Sequence, residues 1–495
     1  MSAHADSYDW SVVLNKIVSK YRAMSLPVKA GLWFTLCEII QRGLSVISMP
    51  IFTRLFSIDE YGSYSLYVTW VMLFGLVITL NIQQEVFNKG MSDHEYERPD
   101  YSTSQAVLIT TLIVVFYLLY LLLQFPINAF TGMGTLLTSL MFIDIWTSAI
   151  VTLWLTRRRF EYAYKPLLTV TLGISIVSIA IGIVAVQLAR SGYKVLARVV
   201  SNLAPYLSAT VVVMIDFLKH SQHCFDRDWW SASVKMGVPL TPHYASQVLL
   251  NQADKVLISW FLDNVKVAIY GVAHSAGLLL VMVSNGINSS LVPWLYSKLK
   301  SGDCRSIAGV TNAAALLVAV LVFILMLLAP ECVAVLATGD YAEAIWCIPP
   351  IATGVVFTFL YTLFVNVEIY YGKAGYVATA SVLSAVLNIV LNVIAIPLFG
   401  YIASAYVTAV CYMGTAMLHY LFMKKTLKSK GVGLRIYDAR FLCFIGALTC
   451  LFAAISLVLY TLGPVRYAFV VALLFCIFAC RNRLRSQFKS IRRKG

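Results

Sequence analysis

Long apolar segments, about fourteen in number, follow one another along the 495-residue chain, and most basic residues fall into every second gap between them. The composition agrees with this pattern, since 60% of the residues are hydrophobic and only 12% are charged, against roughly 25% charged residues in a soluble domain. Because lipid offers no hydrogen-bond partners, each segment must cross the bilayer as a helix of about 20 residues. The sequence therefore predicts an all-α polytopic membrane protein.

The distribution of charge between the segments predicts the orientation. The fourteen expected spans are 31–53, 62–88, 104–124, 134–155, 167–189, 195–218, 236–261, 267–292, 306–329, 344–365, 376–396, 402–423, 441–461 and 464–480. Roughly 30 basic residues lie in one set of alternate gaps and about five in the other, so the positive-inside rule places both termini in the cytoplasm. The net charge of +15 then indicates contact with anionic lipid headgroups and not with nucleic acid.

The first thirty residues show no cleavable signal pattern. Trp10 and Leu14 lie at helical spacing opposite Lys16 and Lys20, which is typical of an amphipathic helix lying on the inner membrane surface. A flexible tail is the alternative. The ten cysteines show no metal-binding pattern and are expected to pack as small hydrophobic residues.

Short motifs recur at a nearly constant spacing. Gly192-Tyr193 recurs as Gly400-Tyr401, and Tyr61-Gly62 recurs as Tyr270-Gly271, about 208 or 209 residues later in each case. Two six-helix lobes of like topology around a central cavity are therefore expected, an arrangement typical of transporters that open to either side. The expected order is a cytoplasmic amphipathic segment (1–30), an N-lobe with helices 1–6 (31–225), a C-lobe with helices 7–12 (226–430), helices 13 and 14 (431–480) and a basic cytoplasmic tail (481–495).

Two helices at equivalent places in this repeat carry polar stripes. Helix 1 presents Glu38 and Arg42 on one face, one turn apart. Helix 7 presents on one face the side chains of His243, Gln247, Asn251 and Asp254. A charge at the helix centre costs about 2.5 to 3.5 kcal/mol on insertion scales, so such residues normally face the interior of the bundle. Both stripes are expected to line the cavity; the alternative for Glu38 and Arg42 is that they neutralise each other.

Other ionisable residues also fall inside the expected helices. Lys255 lies about 100° around helix 7 from Asp254 and cannot share its face. Two alternatives remain for Lys255. It pairs with a residue on helix 1 or helix 8, or it acts directly on an anion. Asp254, His243 and Asp144 are candidates for coupling transport to protons or sodium, because intramembrane carboxylates and histidines mark such relays.

Two stretches carry a family resemblance. Residues 49–64 read MPIFTRLFSIDEYGSY, and residues 387–400 read LNIVLNVIAIPLFG. Both resemble the Wzx-type oligosaccharide flippases, which form the polysaccharide-biosynthesis branch of the MOP exporter superfamily. Within the second stretch, Asn388 and Asn392 lie one turn apart and are expected to bond neighbouring helices.

The resemblance implies a flippase and not an enzyme. Such a protein moves undecaprenyl-diphosphate-linked repeat units from the inner to the outer leaflet of the bacterial cytoplasmic membrane by alternating access, for O-antigen, capsule or exopolysaccharide assembly. It also implies a polysaccharide polymerase and chain-length machinery as partners, no cofactor beyond a coupling ion, and extra helices 13 and 14 that guide the polyprenyl tail. Cations in the cavity would meet the diphosphate. The positions that fit are Arg42, Arg54 and Lys255, and Glu38, Gln247 and Asn251 complete the candidate substrate-binding set.

Two other functions remain open. A MATE-like, cation-coupled multidrug exporter would share the fold, although it is expected to lack the sequence of residues 49–64. A membrane-embedded repeat-unit polymerase or glycosyltransferase is expected to carry a large external loop with catalytic arginine or carboxylate groups. The longest expected external gap, 330–343, contains Glu331, Asp340 and Glu343 and no basic residue.

Overall fold

The computed structural model describes residues 19, 21, 23–302, 306–431, 436–473 and 475. These residues form helices and turns, with no strand among them. Most of the expected amphipathic segment 1–30, the end of the fourteenth expected helix and the basic tail 481–495 lie outside the described residues.

Seventeen α-helices follow one another in the described part of the chain. They are α1 (Leu26–Leu55), α2 (Ile58–Ile78), α3 (Glu85–Asp93), α4 (Arg98–Leu122), α5 (Gln124–Thr131), α6 (Thr135–Phe160), α7 (Tyr164–Leu188), α8 (Lys194–His220), α9 (Arg227–Phe261), α10 (Asn264–Ser301), α11 (Ile307–Leu327), α12 (Ala329–Leu336), α13 (Ile348–Tyr370), α14 (Ala374–Phe399), α15 (Ile402–Ser429), α16 (Ala439–Leu459) and α17 (Gly463–Leu473). Short 3₁₀ turns occupy Glu95–Glu97 and Gly339–Trp346.

The long helices confirm the predicted class of an all-α polytopic membrane protein. Among the described residues, 11 helices are long and apolar enough to cross a membrane. Two further long helices, α1 and α9, fall short of that level of hydropathy because they carry the polar stripes. The described part of α17 is shorter than a span, so the expected count of fourteen stays a prediction.

The second expected helix, 62–88, is wrong at its C-terminal end. The helix stops at Ile78, and Leu80 and Asn81 follow with φ angles of 49° and 51°. This left-handed conformation costs an ordinary residue about 1 to 2 kcal/mol and cannot continue a right-handed helix. The turn packs against α9, since a Cβ atom at Gly237 would lie 3.2 Å from the Leu80 carbonyl oxygen.

By its internal contacts the chain divides into two compact units. The first unit comprises residues 1–48 and 78–237, and the second comprises residues 49–77 and 238–495. The expected lobe boundaries stay a prediction. The division of the structure differs from them in grouping residues 49–77 with the second unit.

Specific contacts hold residues 49–77 in the second unit. The Thr53 hydroxyl donates a hydrogen bond to the Leu336 carbonyl at 2.7 Å, and the Asn264 amide donates to the Ser63 hydroxyl at 3.1 Å. Gly62 lies so close to the Asn264 backbone that an added Cβ would clash with its carbonyl oxygen. A glycine is therefore required where α2 passes the start of α10.

One of the repeated motifs, Gly192-Tyr193 and Gly400-Tyr401, lies in similar turns, and so do Tyr162 and Gly372 before the preceding helices. Gly192 before α8 has a φ of 85°, and Gly400 before α15 has a φ of 76°. Tyr162 before α7 has a φ of 55°, and Gly372 before α14 has a φ of 71°. These positive φ angles end one helix and allow the chain to reverse into the next.

Candidate functional site

Asp254 lies within a cluster of neutral hydrogen-bond donors in the second unit. The residue is 2% exposed. Asn392 Nδ2 of α14 donates to Oδ1 at 2.9 Å, Thr408 Oγ1 of α15 donates to Oδ2 at 2.7 Å, and the Tyr270 hydroxyl of α10 also donates to Oδ2. Because a buried charge is costly unless it is compensated, this carboxyl group requires a proton or a nearby cation.

The oxygen atoms around Asp254 suit a small hard cation. Asn392 Oδ1 and Ser404 Oγ are buried, and among the described residues neither has a partner within hydrogen-bond geometry. Ser404 lies one turn before Thr408 on α15. Asn388 Oδ1 accepts a hydrogen bond from Asn392 Nδ2 at 3.2 Å. Carboxylate, amide and hydroxyl oxygens are the ligands that hard cations prefer. The cluster therefore fits either a proton on Asp254 or a cation held between the oxygens.

A cavity of about 220 Å³ opens beside Asp254 within the second unit. A water molecule takes about 30 Å³ of liquid volume, so the space holds several waters. Its lining is mixed: aliphatic side chains alternate with polar and aromatic ones, which include Asn251, Asp254, Tyr270, Asn285, Tyr361 and Tyr412. The cavity gives the buried carboxyl group a route for exchanging a proton or an ion with water.

Three members of the helix 7 stripe contact the same pair of helices. Gln247 Nε2 donates to Ser381 Oγ of α14 at 2.8 Å. Asn251 Oδ1 accepts from the Tyr412 hydroxyl of α15 at 3.0 Å, and Asp254 binds both helices. The stripe therefore lies on one face as expected. That it lines a cavity shared by two lobes stays a prediction.

Three further candidates are His243 and Lys255 on α9 and Asp144 on α6. His243, one turn before Gln247, is half-buried with its ring against Tyr244. Lys255 is partly buried on α9 and forms no ion pair within the described residues. Asp144 is buried on α6 in the first unit. None of these three contributes a hydrogen bond to Asp254 in the described structure.

The expected alternative for helix 1, an ion pair between Glu38 and Arg42, is wrong. Glu38 Oε1 accepts instead from Arg159 Nη2 at 3.2 Å, and both side chains are 49% exposed. The C-terminal end of α6 carries three consecutive arginines and presents one of them to Glu38. Arg42 is exposed and forms no ion pair with any residue that the structure describes.

Arg54 caps the end of a short helix. Its Nη1 donates to the carbonyls of Pro50 at 2.8 Å and Val335 at 3.2 Å, and its Nη2 donates to the Ala334 carbonyl at 3.2 Å. The last carbonyls of α12 lack helical partners, and a cation there is favourable. The structure thus gives Arg54 a structural role, and its contact with a diphosphate stays a prediction.

The expectation that Asn388 and Asn392 bond neighbouring helices is confirmed, since they reach Thr408 and Asp254. Sequence reasoning missed the polar face of α15. This face carries Ser404, Thr408, Tyr412, Thr415 and His419 at steps of three and four. That spacing puts all five on one side of a helix. The sequence therefore contained the pattern from which this polar face could have been predicted.

An apolar groove lies between α13, α15 and α16. It has a volume of about 400 Å³, and its lining includes Phe357, Met413, Met417 and Cys443. Gly446 on α16 deepens it, because a Cβ atom there would lie 3.0 Å from the Phe357 ring. The groove offers an apolar surface long enough for part of a hydrocarbon chain.

Known proteins resemble this chain in sequence and in fold. A family model described as polysaccharide biosynthesis protein matches residues 28–299. A protein of the Lsg locus of Haemophilus influenzae is 22% identical over 365 residues, which cover 71% of this chain and 87% of that protein.

Two solved structures share the fold. The lipid II flippase MurJ in an inward closed conformation has a TM-score of 0.68 at 13% identity, over 92% of this chain and 100% of MurJ. An inward-facing multidrug resistance MATE family transporter of the MOP superfamily has a TM-score of 0.60 at 11% identity, over 81% of this chain and 98% of its own. Since the family model spans more than half of the sequence, the chain belongs to the polysaccharide biosynthesis protein family, and it shares its fold with these two transporters.

Proposed function

We propose that this protein translocates undecaprenyl-diphosphate-linked oligosaccharide repeat units from the inner to the outer leaflet of the bacterial cytoplasmic membrane. The product would serve O-antigen, capsule or exopolysaccharide assembly. The observation that carries the proposal is the combination, in one chain, of a polysaccharide biosynthesis family and a transporter fold shared with a lipid II flippase. Both termini face the cytoplasm in this proposal.

The proposal has a physical basis in the chemistry of the headgroup. A diphosphate and several sugar hydroxyls cannot enter hydrocarbon unaided, because each unpaired polar group costs several kcal/mol there. Polar and cationic side chains must replace water during the crossing. Arg42 is suited to meet the diphosphate because it is exposed and has no ion-pair partner among the described residues. Lys255, Gln247 and Asn251 would contact the glycan on the α9 side.

Asp254 would couple the movement of the glycan to an ion gradient. Its cluster offers oxygen ligands for sodium and a buried carboxyl group for a proton, and the adjoining cavity supplies water. When bound, the ion would neutralise the carboxylate and hold α9, α14 and α15 together. His243 and Asp144 are weaker candidates for this role, because neither adjoins the cluster.

The apolar groove would accommodate part of the polyprenyl tail. The groove faces outward from α13, α15 and α16, and its lining offers almost no polar surface. The tail would then stay in contact with lipid and protein while the headgroup crosses. Anionic lipids would bind the basic loops, and a polysaccharide polymerase would receive the translocated unit.

Deletion of the gene tests the proposal in the native host. Cells without the protein should lose surface polysaccharide and accumulate repeat units on undecaprenyl diphosphate, measured by mass spectrometry of extracted lipids. Re-expression should reverse both effects. Unchanged surface polysaccharide together with a loss of dye export would support the multidrug exporter and contradict the flippase.

A further inference from the structure

Glu368 and His419 form a buried ion pair outside the Asp254 cluster. The Glu368 side chain is 0% exposed and the His419 side chain is 2% exposed. His419 Nδ1 lies 3.1 Å from both carboxylate oxygens of Glu368. The pair joins α13 to α15, which pack against each other along most of their length.

The charge of this pair depends on one proton. With one proton shared between the imidazole and the carboxylate, the pair is neutral overall. Without that proton, a net negative charge is buried between two helices, which is unfavourable without compensation. Histidine is the side chain that ordinarily changes its protonation between about pH 5 and pH 8.

The first unit carries an ion pair between α6 and α8 with different chemistry. There, Arg158 of α6 pairs with Asp216 of α8 at 2.5 Å. The Arg158 carbonyl accepts from the Ala163 amide at 2.9 Å, and the Glu368 carbonyl accepts from the Lys373 amide at 2.8 Å. Both residues thus precede the same kind of turn. The first unit uses a guanidinium, which stays charged, whereas the second unit uses an imidazole.

A series of side-chain contacts connects the pair to the cavity. The Tyr361 ring stacks on His419 with centroids 5.7 Å apart, and it also stacks on Tyr412 with centroids 6.3 Å apart. Tyr412 donates to Asn251 at 3.0 Å. Both tyrosines line the cavity beside Asp254. A movement of α13 relative to α15 would therefore change the shape of the cavity.

The helices packed around Glu368 and His419 carry few other titratable groups near this pair. In the described residues α11 carries none, and those on the other elements are Tyr296 of α10, Tyr376 of α14, Tyr420 and Lys424 of α15, Tyr437 before α16 and Arg440 of α16. The Tyr437 hydroxyl donates to the Leu363 carbonyl of α13 at 2.8 Å. The Lys424 ammonium lies over the Tyr420 ring at 5.5 Å. None of these groups forms an ion pair with Glu368 or His419 within the described structure.

We infer that Glu368 and His419 form a proton-binding site of the second unit, separate from Asp254, which acts through Tyr361 and Tyr412 on transport. The site itself follows from the geometry, and its effect on transport rests on the proposed function. In the protonated state the pair holds α13 against α15. Release of the proton leaves a buried negative charge between the two helices and weakens that packing.

Proton binding is tested by solid-state NMR on the full chain in lipid vesicles, with ¹⁵N-labelled histidine. The His419 signals are identified by their loss in His419→Gln. The spectra are recorded from about pH 5 to pH 8, the range in which histidine side chains ordinarily change protonation. We expect a change of protonation that is altered in Glu368→Gln and unaltered in Asp254→Asn. An imidazole that keeps one protonation state in wild type across this range would overturn the site.

The effect on transport is tested with His419→Arg, which keeps the ion pair but removes the titratable group. The rate of wild-type flipping should be plotted against pH. One side of this profile should change by up to about tenfold per pH unit, as a single proton requires, and His419→Arg should remove this pH-dependent limb. Asp216→Asn in the first unit is the matched control and should keep the pH-dependent limb. An unchanged limb in His419→Arg would overturn the link to transport. A third outcome is that His419 changes its protonation in the wild type while the protein moves no glycan. This result would contradict the proposed function but support the proton site.

Discussion

Asn392 donates a hydrogen bond to Asp254 at 2.9 Å, although 138 positions of sequence separate the two residues. The bond joins the polar stripe of α9 to the paired asparagines of α14. Thr408 of α15 completes the contact from a third helix. The cluster thus fixes the packing of three helices around one carboxyl group, so its protonation or ion occupancy acts on all three.

The substitution Asp254→Asn tests the coupling role. It preserves the shape of the side chain but removes the charge that a proton or sodium ion would neutralise. We expect normal amounts in membranes, a fall in flipping of at least about tenfold, and loss of dependence on the ion gradient. Asn285→Ala, which alters the cavity lining away from the cluster, is the control. Normal, gradient-dependent flipping by Asp254→Asn would leave the carboxyl group with a packing role only.

Arg42 and the Glu38–Arg159 pair should respond differently to substitution. The pair is half exposed, and such pairs contribute about 0 to 1 kcal/mol, so Glu38→Gln and Arg159→Gln should barely change the unfolding temperature. Arg42→Gln should be equally stable but should reduce export of glycan, because a free cation is lost. Surface glycan and membrane protein would be measured together. Full surface glycan in Arg42→Gln would remove this residue from the substrate site.

Arg54 is predicted to matter for stability more than for transport. Arg54→Ala removes the donors from the carbonyls of Pro50, Ala334 and Val335. Since the side chain is exposed, we expect a loss of about 1 kcal/mol in unfolding free energy, and Arg54→Lys should recover part of it. Thermal unfolding and flipping per folded molecule are the two measurements. Reduced flipping at unchanged stability would instead favour the diphosphate contact that the family resemblance implies.

Glu343 should make a small contribution to the free energy of unfolding, and this contribution should disappear at acidic pH. Hydrogen bonds from Lys266 and Tyr401, each 2.8 Å long, lower the pKa of this carboxyl group. A lowered pKa stabilises the folded state above the unfolded pKa of about 4.3 and loses that effect as the pH falls through the folded pKa. Because Glu343 is 55% exposed, the effect should stay below about 1 kcal/mol.

The Glu343 effect is measured as the unfolding temperature of wild type and Glu343→Gln. The two proteins should differ above about pH 5 and converge toward about pH 3, as protonation removes the ionised form. Asp340→Asn, in the same 3₁₀ turn, is the control. A constant difference at all pH values would show that the carboxylate charge is irrelevant there.

The sequence predicted most of the fold because membrane helices are defined by their own residues. Hydropathy located the long spans, and the spacing of Asn251 and Asp254 placed them on one face. The end of α2 was missed, since the left-handed turn at Leu80 and Asn81 depends on packing against Gly237. Asn81 and the polar residues Gln83, Gln84 and Glu85 after it were the available signal, because asparagine tolerates the left-handed conformation.

The partners of the charged residues were harder to predict. Glu38 has a potential partner one turn away, yet the fold brings Arg159 to it from a helix far along the chain. The donors to Asp254 and the pairing of Glu368 with His419 likewise depend on which helices become neighbours. Polar periodicity reveals the faces of a helix, whereas contacts between distant helices require the tertiary structure.

Translocation of the glycan by this protein can be measured directly in a flipping assay with purified protein in lipid vesicles. The vesicles would contain an undecaprenyl-diphosphate-linked repeat unit from the native host, and a membrane-impermeant glycosidase would report how much glycan lies in the outer leaflet. Wild-type protein should make almost all of the substrate accessible, whereas empty vesicles and Asp254→Asn vesicles should leave the inner-leaflet fraction protected. Equal protection in wild-type and empty vesicles, with an ion gradient of either kind applied, would contradict it.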